Sequence, residues 1–199
     1  DAVMESQPRS IISIKQNACV TAADGNLSLT ANTDQNSNVT AKSISRGLVA
    51  TADAVVEATI GQTSTVNLSE DARLVAGENL SIHATSNLTL KAEAETDAGG
   101  FVGNADTSSI VNLGSETAPA TVAVVLNGAI YAEHVDIQAN VLSMKIEAFA
   151  DSVAGGLGAG AYSTPTIHVD DIASVQLNER AAVSGKTVEI AADHRGINL

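Results

Sequence analysis

The feature of the 199-residue sequence that most restricts its fold is an apolar pattern that recurs four times, about every 54 residues. Each copy has two apolar residues at alternate positions, and a third follows six positions after the second. The copies are Ile12-Ser13-Ile14 with Val20, Val66-Asn67-Leu68 with Leu74, Val122-Ala123-Val124 with Ile130, and Val175-Gln176-Leu177 with Val183. This conserved spacing within the chain indicates one structural unit with small loop insertions.

Each copy continues into a second run in which apolar and polar residues alternate. The runs are Leu27, Leu29, Ala31; Leu80, Ile82, Ala84; Val135, Ile137, Ala139; and Val188, Ile190, Ala192. Alternation with a period of two places the apolar side chains on one face of a strand and the polar ones on the other. We therefore expect a buried set, Leu74, Ile82, Ile130, Ile137, Val183 and Ile190, and an exposed set, Arg73, His83, Gln138 and Glu189.

Two further segments recur, one in two of the units and the other in three. Leu88-x-Leu90-x-Ala92-x-Ala94 corresponds to Leu142-x-Met144-x-Ile146-x-Ala148, and glycine-rich pieces lie at 46–50, 99–103 and 155–161. The glycine-rich pieces lack the Lys-Ser/Thr and the following helix of a phosphate loop. They predict strands or corners where backbones approach too closely for large side chains.

The composition favours a narrow core. Hydrophobic residues make up 44% of the chain, but aromatic residues only 2%, and there is no Trp. Small and β-branched side chains stacked in rows are typical of a β-solenoid, and no helical stripe or cap is present. Propeller blades carry aromatic signatures that are missing here, and a Greek-key sandwich needs a longer period. The sequence predicts an all-β parallel β-helix built from about four 54-residue repeats, approximately 1–46, 47–99, 100–155 and 156–199.

The size of one coil follows from the usual dimensions of such folds. Parallel β-helix coils of roughly 18 to 28 residues predict two or three coils per repeat, and a rod roughly 35 to 55 Å long. The repeats predict one continuous domain over residues 1–199, which we expect to be a segment of a longer protein.

Charge narrows the possible partners. The formal net charge is −13 and the sequence pI about 4.4, which disfavours nucleic acid and anionic membranes. No apolar run approaches the roughly 18 residues of a membrane span, and residues 1–10 lack the pattern of a signal peptide. We expect no nucleic-acid partner and no membrane insertion.

No group of residues has the pattern of a catalytic, cofactor-binding or metal site. The adjacent carboxylates Glu70-Asp71 and Asp170-Asp171 are expected to point to opposite faces, and Glu93 and Glu95 to share the solvent face of a strand. The four histidines, at 83, 134, 168 and 194, have no metal-ligand spacing. Turns such as 24–26 offer oxygens to calcium but lack its nonapeptide repeat. Cys19 is expected to face outward, without a basic neighbour to activate it.

The segment Gly-Gly-Leu-Gly-Ala-Gly-Ala at 155–161, the Val-x-Leu strand at 175–177 and the run at 181–192 resemble repeats of large bacterial surface exoproteins. The similarity extends over residues 11–192 and concerns filamentous-haemagglutinin-like and leukotoxin-type adhesins. It implies a right-handed parallel β-helix exported to the bacterial surface, and it supplies no catalytic residues.

We therefore expect a structural shaft or adhesive segment of a secreted or cell-surface exoprotein, without enzyme activity or cofactors. Its expected partners are neighbouring segments of the same chain, end-to-end copies, or a host receptor or glycan. Two alternatives remain: a β-helical lyase or hydrolase acting on polysaccharide, and a subunit of a self-assembling extracellular fibre.

Overall fold

The computed structural model describes all residues, 1–199, as a parallel β-solenoid without helices. Every strand pairing is parallel, and no helix is long and apolar enough to cross a membrane. The strands are β1 (Ala2–Ser6), β2 (Arg9–Ile14), β3 (Cys19–Ala22), β4 (Leu27–Ile60), β5 (Thr63–Leu68), β6 (Arg73–Ala76), β7 (Asn79–Leu113), β8 (Ala120–Leu126), β9 (Ala129–Tyr131), β10 (His134–Gly155), β11 (Gly160–Val169), β12 (Asp171–Leu177), β13 (Ala182–Ser184), β14 (Thr187–His194) and β15 (Ile197–Asn198).

One repeat forms one coil. Ala31 of β4 pairs with Ala84 of β7, which pairs with Ala139 of β10, and that residue pairs with Ala192 of β14. The predicted two or three coils per repeat, and the long rod, were wrong. Only four levels are stacked, so the outermost levels lie about 14 Å apart at about 4.8 Å per level.

Each coil is flattened, with two long sides that face one another and one short side. In the second complete coil, the Ser109 hydroxyl donates to the Ala92 carbonyl across the interior at 3.0 Å, and the Thr96 and Thr107 hydroxyls are 2.8 Å apart. Both contacts join the two halves of β7, which therefore folds back at its glycine-rich middle. We call residues 27–46, 79–99, 134–155 and 187–198 the first long side, and residues 50–68 with their register partners the second.

This fold-back explains why the coil number was mispredicted. In the sequence, short polar stretches between the apolar runs suggested that each run was a separate strand in a separate coil. In the structure each long side is one extended run of about 20 residues, roughly 65 Å. The strands β3, β6, β9 and β13 form the short side.

The core tapers from the short side towards the glycine-rich fold-back, which we call the tip. Near the short side the largest fully buried side chains include Leu68, Leu74 and Ile137. Near the tip a separate buried cluster consists only of Ala50, Ala52, Ala98 and Ala105. The scarcity of aromatic residues, and the exposure of the two Phe and two Tyr side chains, follow from this wedge-shaped interior.

The glycines at the tip are required by close approach of neighbouring coils. A Cβ atom on Gly100 would lie 2.0 Å from the Gly47 carbonyl oxygen, and one on Gly156 would lie 2.5 Å from the Gly100 oxygen. Gly156 also has a φ of 142°, which disfavours any other residue. This confirms the predicted role of these segments.

Two details of the predicted alignment were wrong. Leu68 pairs with Leu126 rather than with Val124, because the corner before β9 is two residues shorter in that coil. Leu142 is the extra residue of a β-bulge, so Leu88 pairs with Met144 instead. In both cases the apolar side chains of the shifted strands still point into the core. The spacing of apolar residues in the sequence therefore does not reveal either shift.

The predicted core is confirmed for Leu74, Ile82, Ile130 and Ile137, each 0% exposed. Val183 is only half-buried and Ile190 is 41% exposed, because no further coil covers the last level. Among the predicted surface residues, Arg73 and Glu189 are exposed, whereas His83 and Gln138 are half-buried under neighbouring polar side chains.

Candidate interaction surfaces

The outward face of the first long side, here called the ladder face, carries polar side chains that bond from coil to coil. The Asn79 amide donates to Asn26 Oδ1 at 2.8 Å, and the Ser81 hydroxyl donates to Ser28 at 2.9 Å. These ladders arise because positions one coil apart lie side by side on a parallel sheet. They give the chain a broad, flat and regular polar surface.

Ion pairs continue the ladder face towards the tip. Lys42 Nζ lies 2.7 Å from Glu95 Oε2, and Arg46 pairs with Asp97 on the next coil. The hydrogen bond from Arg46 lowers the pKa of Asp97, and the one to Glu95 raises the pKa of Lys42. Glu93 and Glu95 share this face, as predicted, and Glu93 is paired with Lys91. Their charges are locally balanced in an acidic protein.

A shallow groove crosses the ladder face near the short side. Its volume is about 630 Å³, and its polar lining is Asn79, Ser81, His134, Asp136, Thr187 and Glu189. Asp136 and Glu189 are register partners on adjacent levels. Asp136 is held by His83 Nε2 and Gln138 Nε2, each 2.8 Å from one of its oxygens. The groove offers hydrogen-bonding groups and two carboxylates, which suits a hydroxyl-rich ligand.

Sequence reasoning missed this carboxylate pair. The two residues are 53 positions apart and attract no attention unless one coil is known to equal one repeat. Once one coil is known to equal one repeat, the spacing of 53 positions predicts that Asp136 and Glu189 lie side by side on adjacent levels.

The carboxylate pairs that the sequence singled out lie elsewhere. Glu70 and Asp71 occupy the turn before β6, where Glu70 accepts a bond of 3.0 Å from Arg180. Asp171 points into the interior with its side chain only 7% exposed, 3.2 Å from His194 Nε2. Burial raises the pKa of Asp171 against the opposing effect of that histidine. The structure thus brings neither pair to the groove.

The remaining histidines form separate contacts. His134 Nδ1 lies 2.6 Å from the Thr187 hydroxyl, whereas His168 lies on the second long side. No group of three or more His, Cys, Asp or Glu side chains has the arrangement of a metal site. In the turn at 24–26, Asn26 Oδ1 is already used by Asn79.

Cys19 is exposed, as predicted. The sequence suggested no basic neighbour, but the register pairs Cys19 with Arg73 on the next level. The Arg73 guanidinium lies over the Tyr131 ring at 5.3 Å, one level further on. The Arg73 guanidinium thus lies against Tyr131, and the polar contact of the Cys19 thiol is the Thr21 hydroxyl at 3.5 Å.

The ladders, the groove and the paired charges are thus distributed along a repeating surface instead of converging on one centre. Comparison with known proteins finds no relative: no family model matches the sequence, and neither a curated protein nor a solved structure matches it.

Proposed function

We propose that this chain is a shaft segment of a large secreted or cell-surface exoprotein whose outward faces serve as an adhesive surface. The observation that carries the proposal is the stacking of one coil per repeat, with the strands of each coil hydrogen-bonded to those of the next. In a solenoid each coil contacts only its neighbours, so length is set by the number of repeats.

The surface supports the same proposal. Ladders such as Asn26–Asn79 and Ser28–Ser81 join neighbouring coils, and the next levels continue these two columns with other polar residues: His134, Thr187, Asp136 and Glu189. A polar surface that extends along the axis suits weak, multivalent attachment. The groove beside Asp136 adds a local site for a hydroxyl-rich group of a receptor or glycan. The resemblance of 155–161 and 181–192 to adhesin repeats agrees with a bacterial surface location.

Insertion of one extra coil tests the shaft. A second copy of residues 79–133, placed directly after residue 133, is expected to fold in register and to raise the height of the particle by about 4.8 Å without changing its width. Small-angle scattering measures the height and the width, and thermal denaturation measures the stability. The control is insertion of residues 79–106 alone, half a coil, which breaks the register and lowers stability. If both insertions were equally harmful, the coils would not be independent building units.

A polysaccharide lyase or hydrolase is the second candidate, favoured by the aligned carboxylates Asp136 and Glu189 in the groove. Pectin, polygalacturonate, alginate and chondroitin are suitable substrates, each with and without calcium. Cleavage of one of these polysaccharides by the unchanged protein, lost in both Asp136→Asn and Glu189→Gln, would show that the chain is an enzyme and would contradict the shaft function.

A self-assembling fibre is the third candidate, favoured by the unpaired edges of the outermost strands: residues 27–46 of β4 pair only with β7, and β14 pairs only with β10. End-to-end association of the 199-residue chain should increase as salt screens the −13 charge. Sedimentation over a salt series measures it, and a strict monomer throughout would exclude this candidate.

A further inference from the structure

The tip carries a strip of exposed apolar side chains that the fold itself does not use. Leu48 is 83% exposed, Phe101 61% and Leu157 85%. They occupy the same fold-back on three successive coils, so the strip runs parallel to the solenoid axis. We call it the apolar seam. Its members at the tip are Leu48, Val49, Phe101, Val102 and Leu157, and it extends onto the adjoining part of the ladder face through Ile44, Phe149 and Val153; all eight are at least 40% exposed.

The backbone holds this seam in a fixed position. The Leu157 amide donates to the Phe101 carbonyl at 2.9 Å, and Gly100 fits directly against the Gly47 oxygen of the preceding coil. The glycines therefore align the tips, and the large residues beside them are presented outward in a row. A tip that needed only solubility would carry polar residues between its glycines.

The area of the seam is large for a surface that contacts only water. Eight apolar side chains exposed by 40% or more leave several hundred square ångströms uncovered, near the upper end for a monomer and close to the roughly 800 Å² that each partner contributes to a standard interface.

The charges beside the seam bear on how closely two acidic chains can approach there. Arg46 is paired with Asp97, and Lys42 with Glu95, so much of the charge on the flanking part of the ladder face is neutralised although the chain carries −13. Three carboxylates near the tip have no ion pair and oppose close approach there: Asp151 beside Glu95, and Asp53 and Asp106 on the second long side.

We propose that the apolar seam is a lateral interface that pairs two copies of this chain side by side, seam against seam. The pairing is isologous, because the same strip is used by both copies, and it therefore closes at two chains. End-to-end stacking uses the strand edges at right angles to the seam and continues without limit. This interface does not depend on the shaft being adhesive.

Sedimentation equilibrium over a wide concentration range tests the proposal. The 20.2 kDa chain should reach twice its mass and stop there. The variant Leu48→Ser/Leu157→Ser should weaken the dimer at least ~10-fold, since each buried leucine is lost twice in a symmetric pair. Both side chains are exposed, so its melting temperature should stay near that of the unchanged protein. The matched control is Val3→Ser/Ile11→Ser, which replaces exposed residues away from the seam, 68% and 53% exposed, and should leave the dimer intact.

Cysteine crosslinking gives an independent test. In a Cys19→Ser background, Phe101→Cys should form a disulfide-linked dimer on mild oxidation, and Thr30→Cys on the ladder face should not. Neutral phosphatidylcholine vesicles test the competing occupant, a lipid surface. A monomer at all concentrations, a dimer that survives Leu48→Ser/Leu157→Ser, or vesicle binding through the seam without a dimer would each overturn the proposal.

Discussion

Ile137→Ala tests the register of the whole solenoid. Ile137 is 0% exposed and is paired with Ile82 on one side and Ile190 on the other, all pointing into the core. Removal of its side chain leaves a cavity closed by coils above and below, and such substitutions cost about 2–5 kcal/mol. A loss of 3 kcal/mol moves a urea midpoint by about 1.5 M when m is about 2 kcal/mol per M.

The same column supplies the control. Ile190 has the same chemistry one level on, but it is 41% exposed and has no coil over it. Ile190→Ala should cost only about 1 kcal/mol, because part of the side chain is already in water and no closed cavity forms. Urea unfolding followed by far-ultraviolet circular dichroism measures both variants. Equal losses would refute the assigned stacking.

Three further outcomes follow from the contacts. Gly100→Val should lower the melting temperature sharply, since its Cβ meets a backbone oxygen of the neighbouring coil, whereas Gly25→Ala, where a Cβ meets nothing within 4 Å, should have little effect. Gln62→Leu should cost about 1–3 kcal/mol in urea unfolding, because Gln62 Nε2 donates to the buried Thr33 hydroxyl at 2.8 Å. Asp171→Asn should raise the melting temperature at pH 7. Burial raises the pKa of the Asp171 carboxyl in the folded state, so between the ordinary pKa of an aspartate and this raised pKa the native state binds more protons than the unfolded state. The stability of the unchanged protein therefore falls as the pH rises through this interval, and the asparagine removes that loss. Below the ordinary pKa of an aspartate the two proteins should melt alike; a variant that melts lower than the unchanged protein at pH 7 contradicts this.

Much of the fold could be predicted from alternation alone. The inward rows, the repeat length and the tight glycine-rich segments are local consequences of side-chain direction and of space, and short sequences reveal both. Ile82 and Ile137 were placed correctly for this reason.

The coil number could not be obtained in the same way. It depends on whether two runs such as 79–99 and 103–113 stack on each other or face each other across the core, and alternation is identical in both cases. The contact between Thr96 and Thr107 settles the matter in favour of facing runs. The Asp136–Glu189 pair was missed for the same reason, since it exists only if one repeat equals one coil.

The flattened coil also determines how a shaft built from it would bend. The long sides are about 65 Å wide, while two sheets packed about 10 Å apart, with their outer side chains, make a body roughly 20 Å thick. Resistance to bending grows with the cube of the dimension in the plane of the bend and linearly with the other dimension. The ratio of the two stiffnesses is therefore the square of the width-to-thickness ratio, on the order of ten for this cross-section. Such a shaft is a ribbon, compliant through its thin dimension and stiff edgewise.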